Sequence, residues 1–494
     1  MFKIGFDNDK YIKMQSEQIK KRISQFGGKL YMEFGGKLFD DHHASRVLPG
    51  FQPDSKLKML LQLKDQAEIV IAVSAQAINA KKKRGDLGIT YDNEVLRLID
   101  MFRSVGLYVG SVVITQYEGE PAADALKTKL SSGGIKVFTH YKIEGYPSNI
   151  SLIVSDDGYG KNDYIETTRS LVVITAPGPG CGKMAACLSQ LYHEHKRGIE
   201  AGYAKFETFP IWNLPLKHPV NLAYEAATAD LNDVNMIDPF HYEAYGKVTI
   251  NYNRDIEIFP VLNTMFKKIY GESPYKSPTD MGVNMAGNCI FDDEAVCEAS
   301  KQEIIRRYYT ALCEERKHGT HIGEADKIEL IMNSAGISTS DRAVVTAAER
   351  IGRETGEPAA AIELKDGTII TGKTKELLGA SAAVVLNSLK HLAGIDDAYE
   401  LIPSTLIEPV QDLKVTYLGS KNPRLHIDEI LVALSVSAAN NSTAALALSM
   451  LPELAGCEAH SSVILSSVDS SIFRKLKVNL TCSPEYQNKS LFHI

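Results

Sequence analysis

The chain has 494 residues, of which 44% are hydrophobic and 23% are charged, and its formal net charge is -7. This length exceeds what one hydrophobic core usually supports, so we expect two or three globular domains. The acidic charge balance gives no electrostatic reason to expect nucleic acid as a partner.

Apolar, β-rich runs alternate with helical stretches in the first half of the chain. The runs lie at residues 69–73, 110–115, 136–139, 152–155 and 171–175. Such alternation predicts an α/β fold with a doubly wound, mostly parallel sheet that helices cover on both faces. We assign this sheet to a first domain at residues 1–240, in which ligands would bind beyond the carboxyl ends of the strands.

A glycine-rich loop follows the last of these runs and precedes a helical stretch. Glycines let the backbone approach an anion, and a helix start followed by a lysine attracts negative charge. The predicted phosphate-binding residues are Gly178, Gly180, Cys181, Gly182 and Lys183. Two positions depart from the P-loop pattern, because Pro177 replaces a glycine and Met184 replaces the hydroxyl residue that would ligate Mg²⁺. The alternative is a Gly/Pro turn that joins a strand to a helix.

Polar residues downstream of the loop are candidates to complete such a site. Lys183, Arg254 and Asp230 are the candidate catalytic residues, since they can neutralise phosphate charge or hold Mg²⁺. The candidate substrate-binding residues are Asn253, Asp255, Thr279, Asp280 and Asn284. The structural alternatives are aspartates that cap helices or lie solvated in loops, an ion pair between Arg254 and Asp255 at a helix start, and a turn at residues 273–284.

Residues 241–335 are predicted to be mainly helical, and residues 336–494 to form a C-terminal α/β domain. That domain contains Gly-Thr-Ile-Ile-Thr-Gly-Lys-Thr at residues 367–374, which matches the P-loop pattern letter for letter. Its middle residues favour extended structure, and Asp366-Gly367 is a hairpin signal, so we predict strands at 360–364 and 368–371. A helix is predicted at residues 375–392. The resulting order of helix, hairpin and helix resembles the α/β layers of deaminases, although the deaminase zinc signature is absent.

Cysteine and histidine patterns give little support to metal or peptidase chemistry. Seven scattered cysteines form neither a disulfide framework nor a C-x-x-C pair. Residues 193–195 are His-Glu-His, but position 197 lacks the second histidine of a zincin. Cys181 at a helix start is a candidate nucleophile with a lowered pKa. No apolar run is long enough to span a membrane and residues 1–10 lack a signal-peptide core, so we expect a cytoplasmic protein without a membrane partner.

Several long segments resemble one bacterial family. They are residues 176–194, 202–231, 236–246, 251–262 and 277–287. They are similar to the uncharacterised protein family UPF0371, also called DUF1846, over nearly the whole chain. The resemblance implies a cytosolic α/β protein with a P-loop-like N-terminal part and no assigned activity, although some members carry the label of ATP-dependent peptidase. Cys181 stands where serine is common in the family.

Two functions are compatible with these features. The first is an enzyme of phosphoryl-transfer type that binds a nucleotide or a phosphorylated metabolite, with ATP and Mg²⁺ as candidate cofactors. The second is a noncatalytic nucleotide sensor or oligomeric scaffold, and a peptidase is a third option. The expected partners are a small phosphorylated molecule and further copies of the chain in a homo-oligomer.

Overall fold

The computed structural model describes residues 3–35, 38–39, 41–84, 88–320 and 322–487. The chain divides into two compact units, which we describe separately. The N-terminal unit comprises residues 4–225 and 233–297, and the C-terminal unit comprises residues 1–3, 226–232 and 298–494. Among the described helices, none combines the length and the apolar character that a membrane span requires.

A seven-stranded parallel sheet forms the centre of the N-terminal unit. The strands of this unit are β1 (Leu30–Phe34), β2 (Ala67–Ser74), β3 (Tyr108–Tyr117), β4 (Lys136–Tyr141), β5 (Leu171–Thr175), β6 (Gly202–Phe206), β7 (Asn235–Ile237), β8 (Ile250–Tyr252) and β9 (Gly282–Val283). β7 and β8 pair separately, and the sheet order is β4-β3-β2-β5-β1-β6-β9. Every residue of β2 and β5 is buried, as expected for strands covered on both faces. The predicted α/β fold is confirmed.

Helices pack on the sheet and fix the direction of the segment after β5. The helices up to residue 281 are α1 (Asn8–Gln25), α2 (His42–Val47), α3 (Ser55–Gln62), α4 (Ala75–Asn79), α5 (Tyr91–Ser104), α6 (Pro121–Ser132), α7 (Ile150–Ile153), α8 (Lys183–Lys196), α9 (Pro219–Ala227), α10 (Pro239–Tyr245), α11 (Asn253–Tyr270) and α12 (Pro278–Met281). Leu188 and Leu191 of α8 are buried in one core cluster with Val172 of β5 and Phe259 of α11. This packing holds the start of α8 at the end of β5.

One predicted strand is wrong. Residues 152–155 were expected to be extended, but the run belongs to α7 and the turn that follows it. The side chain of Asn149 accepts a hydrogen bond from the amide of Leu152 and so caps a helical turn. Ile153 turns into the core, so a short apolar run is buried here without forming a strand.

The C-terminal unit contains a separate mixed sheet. Its strands are β10 (Ala359–Glu363), β11 (Ile369–Lys373), β12 (Glu458–Ser461) and β13 (Asn479–Cys482), in the order β11-β10-β12-β13. The last two strands are parallel and the other pairs are antiparallel. The remaining helices are α13 (Asp293–His318), α14 (Glu324–Ala335), α15 (Ala343–Thr355), α16 (Ala380–Leu392), α17 (Ser404–Asp412), α18 (Ile427–Ala438), α19 (Ser442–Ser449) and α20 (Ser467–Lys475). The division into three domains stays a prediction.

The hairpin predicted at Gly367 is confirmed. Ile362 of β10 lies opposite Ile370 of β11 in an antiparallel register. The amide of Leu364 donates to the carbonyl of Thr368 at 2.9 Å and closes the turn. Residues 367–374 match the P-loop sequence pattern, but residues 369–373 form a strand. This segment therefore does not form a loop around a phosphate at the start of a helix.

Two glycine substitutions in this unit should shift stability in opposite directions. Gly367 has φ +88°, where an alanine is strained, so Gly367→Ala should lower the free energy of unfolding by about 1 kcal/mol. Gly352 lies inside α15 with only ordinary contacts around a new Cβ, so Gly352→Ala should raise it by roughly 0.5–1 kcal/mol. Urea titrations of both variants measure the two shifts, and a neutral Gly367→Ala would contradict the tight turn.

Candidate functional site

The loop at residues 176–182 joins β5 to α8 at the carboxyl edge of the sheet. Because β5 lies between β1 and β2, the loop borders the ends of both neighbouring strands. Gly180 has φ +78° and Gly182 has φ +73°, and Cys181 between them has a negative φ. Alternating signs of φ bring successive amides to one side of the chain, as in anion-binding nests. The predicted strand, glycine loop and helix are therefore present in order.

Six consecutive amides at the end of this loop and the start of α8 are not used by the fold of the described residues. Within the described residues, none of the six amides from Gly180 to Ala185 donates a hydrogen bond to a protein acceptor. Those of Lys183 to Ala185 belong to the first turn of α8, where the positive end of the helix dipole lies. A run of free amides beside a lysine can bind an anion.

Packing explains part of the glycine content without a ligand. A Cβ at Gly178 would overlap the hydroxyl of Tyr91, and a Cβ at Gly182 would lie 3.1 Å from Oγ1 of Thr115. The Thr115 hydroxyl donates to the carbonyl of Cys181 at 2.9 Å and holds the loop against β3. Contacts within the fold thus hold the loop in this conformation.

Cys181 does not have the character of an activated nucleophile. Its side chain is buried, and burial raises the pKa of the thiol although backbone amides and Lys183 oppose the change. The expected lowering of this pKa by the helix start is therefore wrong, because burial outweighs the helix end.

Lys183 faces an acidic side chain from the neighbouring strand. Its Nζ lies 4.0 Å from Oε1 of Glu33 on β1, and the hydroxyl of Tyr203 donates to Oε2 of Glu33 at 2.8 Å. Only 16% of the Lys183 side chain is exposed. Glu33 is absent from the predicted site, although a glutamate within the apolar run Leu-Tyr-Met-Glu-Phe is a signal that could have identified it.

A second charged group lies at the end of β6. Nζ of Lys205 is 2.5 Å from both Oε1 of Glu207 and Oδ2 of Asp255. Burial raises the pKa of Glu207 to about 7, and Lys205 only partly offsets this effect. Burial alone would lower the pKa of Lys205, but the negative charges of Asp255 and Glu207 outweigh this effect and raise the pKa of Lys205. We call Glu33, Lys183, Lys205, Glu207 and Asp255 the carboxyl-edge cluster.

The shifted Glu207 should make stability depend on pH. Its pKa is about 7 in the folded chain and 4.5 when unperturbed, so the folded state binds more protons between these values. Stability from this residue is therefore lost as pH rises from about 4.5 to about 7, by at most about 3 kcal/mol. Urea titrations followed by the fluorescence of Trp212, the single tryptophan, should show this loss relative to Glu207→Gln. A difference that is flat with pH would contradict the shift.

Several of the other predicted site residues make contacts that stabilise the fold. Arg254 pairs with Asp233 at 3.2 Å, whereas Asp255 pairs with Lys205, so the alternative of an Arg254–Asp255 ion pair is wrong. Asn253 accepts a hydrogen bond from the amide of Val234.

Three further candidates also stabilise loops. The hydroxyl of Thr279 donates to Asp238 at 2.7 Å, and Asp280 accepts from the hydroxyl of Tyr245 at 2.9 Å. The side-chain amide of Asn284 donates to the carbonyls of Thr208 and Pro210. Asp230 is exposed in a short 3₁₀ segment of the C-terminal unit.

One cluster in the described part of the chain has a metal-like composition. Nε2 of His218 lies 3.0 Å from Asp293 and 3.5 Å from Sγ of Cys297. Nδ1 of His218 accepts from the amide of Val220 at 3.2 Å, so the ring proton that points toward Asp293 lies on Nε2. Nε2 donates this proton to Asp293, the first residue of α13. A hydrogen bond between His218 and the start of this helix therefore explains the cluster without a metal ion.

Comparison with known proteins identifies the family. The model of the N-terminal domain of unknown function DUF1846 matches residues 4–336, and the model of its C-terminal domain matches residues 340–492. A UPF0371 protein of Corynebacterium urealyticum is 59% identical over 490 residues, which cover 99% of both chains. UPF0371 proteins of Streptococcus thermophilus and Streptococcus pyogenes serotype M5 are 58% and 57% identical, and the alignments cover 100% and 99% of both chains. The chain therefore belongs to the UPF0371 family and contains both DUF1846 domains.

Proposed function

We propose that the N-terminal unit binds a phosphorylated small molecule, with a nucleotide as the first candidate, at the loop of Gly178 to Lys183. The observation that supports this proposal best is the run of six amides beside Lys183 that have no acceptor in the part of the chain that the structure describes. The loop amides would hold the phosphate oxygens, and Lys183 would neutralise their charge.

The proposed activity is a group transfer or hydrolysis assisted by the carboxyl-edge cluster. Glu207 has a pKa of about 7, so it can accept and release a proton near neutral pH. Lys205 would stabilise negative charge that develops beside it. A magnesium ion accompanying a nucleotide would need oxygen ligands, and Glu33 and Asp255 are the cluster carboxylates that could supply them while Glu207 transfers the proton.

A noncatalytic sensor is the second candidate, and Met184 favours it. Its thioether packs against the core cluster below α8 and offers no hard oxygen ligand at the position where a P-loop has a hydroxyl. A sensor would bind the same phosphate through amides and Lys183 without consuming it.

Incubation of the full chain with ATP and Mg²⁺ separates these candidates. Binding of ATP is followed by equilibrium dialysis, and products are followed by ion-exchange chromatography. Binding with Mg²⁺-dependent product formation supports the enzyme, whereas binding with unchanged ATP over many hours supports the sensor. Absence of binding for ATP, for other nucleotides and for sugar phosphates contradicts both.

A further inference from the structure

A cavity of about 680 Å³ lies at the carboxyl ends of the parallel strands β12 and β13. Ser462 directly follows β12 and Ser483 directly follows β13, and both residues line the cavity. The residues of its wall belong to the C-terminal unit, whereas the phosphate loop belongs to the N-terminal unit. Small molecules bind in cavities of this size, and in α/β sheets they bind beyond the carboxyl ends of parallel strands.

The hydroxyl of Ser483 lies beside a buried imidazole. Its Oγ is 3.0 Å from Nε2 of His460 on β12 and 3.5 Å from Oε1 of Glu349 on α15. The ring of Tyr309 covers the ring of His460, with 4.9 Å between the two ring centroids. His460 is 0% exposed, whereas Ser483 is 8% exposed and lines the cavity. The pair therefore consists of a serine at the cavity wall and a histidine behind it.

The hydrogen bonds around Thr481 fix which nitrogen of His460 carries the ring proton. The Thr481 hydroxyl donates to the carbonyl of Ala459 at 3.1 Å and accepts from Nε of Arg342 at 3.2 Å. Because its one hydrogen is used in this way, Nδ1 of His460 must donate to it at 2.8 Å. Nε2 then carries no hydrogen and accepts from Ser483. Burial lowers the pKa of His460 to about 3, so the ring is neutral at physiological pH.

A serine, a neutral histidine that accepts its proton and a third group that orients the histidine together form the arrangement of an activated nucleophile. We propose that Ser483 is the nucleophile of a second site, which hydrolyses small uncharged esters. Among the described residues, the cavity wall contains the carboxylates of Glu349, Glu357 and Glu485 and one cation, Arg353. This excess of negative charge would repel an anionic substrate.

The reaction passes through an acyl-serine. Oγ of Ser483 attacks the ester carbonyl carbon while its proton moves to Nε2 of His460. The bond to the leaving oxygen then breaks as Nε2 returns the proton to that oxygen. Water attacks the acyl group and gives one proton to Nε2, which passes it to Oγ as the carboxylic acid leaves. A histidine with so low a pKa is a weak base, so we expect slow turnover and a covalent adduct that is easier to detect than the product.

A fluorophosphonate probe tests the nucleophile on the full chain. Ser483 should displace fluoride from the phosphorus, and mass spectrometry of tryptic peptides should place the adduct on this residue. Ser483→Ala should abolish the adduct, and His460→Gln should lower the labelling rate by at least about 100-fold. Ser462→Ala is the matched control and should be labelled at the native rate, because Ser462 lines the same cavity but its hydroxyl accepts from the amide of Ala359.

Substitution of Thr481 tests the orientation of the histidine. Thr481→Val removes the acceptor of Nδ1 and should slow labelling by at least about tenfold, whereas Thr481→Ser keeps the hydroxyl and should restore the rate. Hydrolysis of p-nitrophenyl acetate should fall in the same variants, and circular dichroism melts check that each variant is folded. A native chain without an adduct on Ser483, or an adduct that forms at the native rate in folded His460→Gln and Thr481→Val, overturns the proposal.

Discussion

Arg342→Met should destabilise the C-terminal unit by about 3–5 kcal/mol, the cost of removing one partner from a buried ion pair. Only 1% of the Arg342 side chain is exposed, and its guanidinium lies 2.6 Å from Oε2 of Glu458. It also donates to the carbonyls of Ala459 and Asn479 at 3.1 and 2.8 Å. Methionine fills similar space but removes the guanidinium donors and leaves the Glu458 carboxylate without its cation.

Hydrogen exchange of the strand amides measures this loss, because Arg342 joins β12 to β13. Amides of β12 should exchange at least 100-fold faster in Arg342→Met, as expected for a loss of about 3 kcal/mol. Arg353→Met is the matched control, since Arg353 is exposed on α15 and should change exchange little. Replacing Glu458 with leucine in the Arg342→Met background should restore part of the protection. Unchanged exchange in Arg342→Met would show that the pair does not hold the sheet.

Glu207→Gln should lower the proposed turnover about 100-fold, the usual scale for the loss of a general acid or base. Glutamine keeps the shape and the contact with Lys205 but cannot transfer a proton at neutral pH. The dissociation constant of the ligand should change less than threefold, since the phosphate is assigned to the loop amides and Lys183. Equilibrium dialysis and product chromatography measure the two effects on the same preparation.

A matched carboxylate distinguishes the chemical role from a general disturbance. Glu225 lies in the same unit, is half-buried and accepts hydrogen bonds from Asn235. Glu225→Gln should leave turnover near the native value. Equal losses in Glu207→Gln and Glu225→Gln, or a full rate in Glu207→Gln, would remove Glu207 from the proposed mechanism.

The sheet, the glycine loop and the hairpin could be predicted because their signals are local. The apolar run at residues 171–175, the glycines that follow and the turn at Asp366-Gly367 each specify a conformation within a few residues. The run at 152–155 misled because three apolar residues followed by a serine fit a capped helical turn as well as a strand. A run this short is not long enough to distinguish a strand from a helical turn.

The carboxyl-edge cluster could be predicted only in part, because it depends on strand order. Lys183 and Asp255 were among the predicted site residues, whereas Glu33, Lys205 and Glu207 were not. Glu33 meets Lys183 only because β1 lies beside β5, although about 140 residues separate the two strands in sequence. Thr279 and Asn284 were predicted to bind substrate, but they make hydrogen bonds to Asp238 and Pro210, which are distant in sequence. These contacts stabilise loops, and the local sequence did not indicate them.

Thermal-shift titration with ATP and inorganic phosphate, with and without Mg²⁺, tests the central claim most directly. The chains to compare are the native protein, Lys183→Ala and Lys373→Ala. Lys373 is the lysine of the P-loop pattern at residues 367–374, which lies in the hairpin. A ligand at 100 times its dissociation constant stabilises the folded chain by about 2.7 kcal/mol, which is readily seen as a higher melting temperature. We expect this shift in the native chain and in Lys373→Ala and its loss in Lys183→Ala. A shift that survives in Lys183→Ala, or that only Lys373→Ala abolishes, would contradict the assignment of the phosphate site.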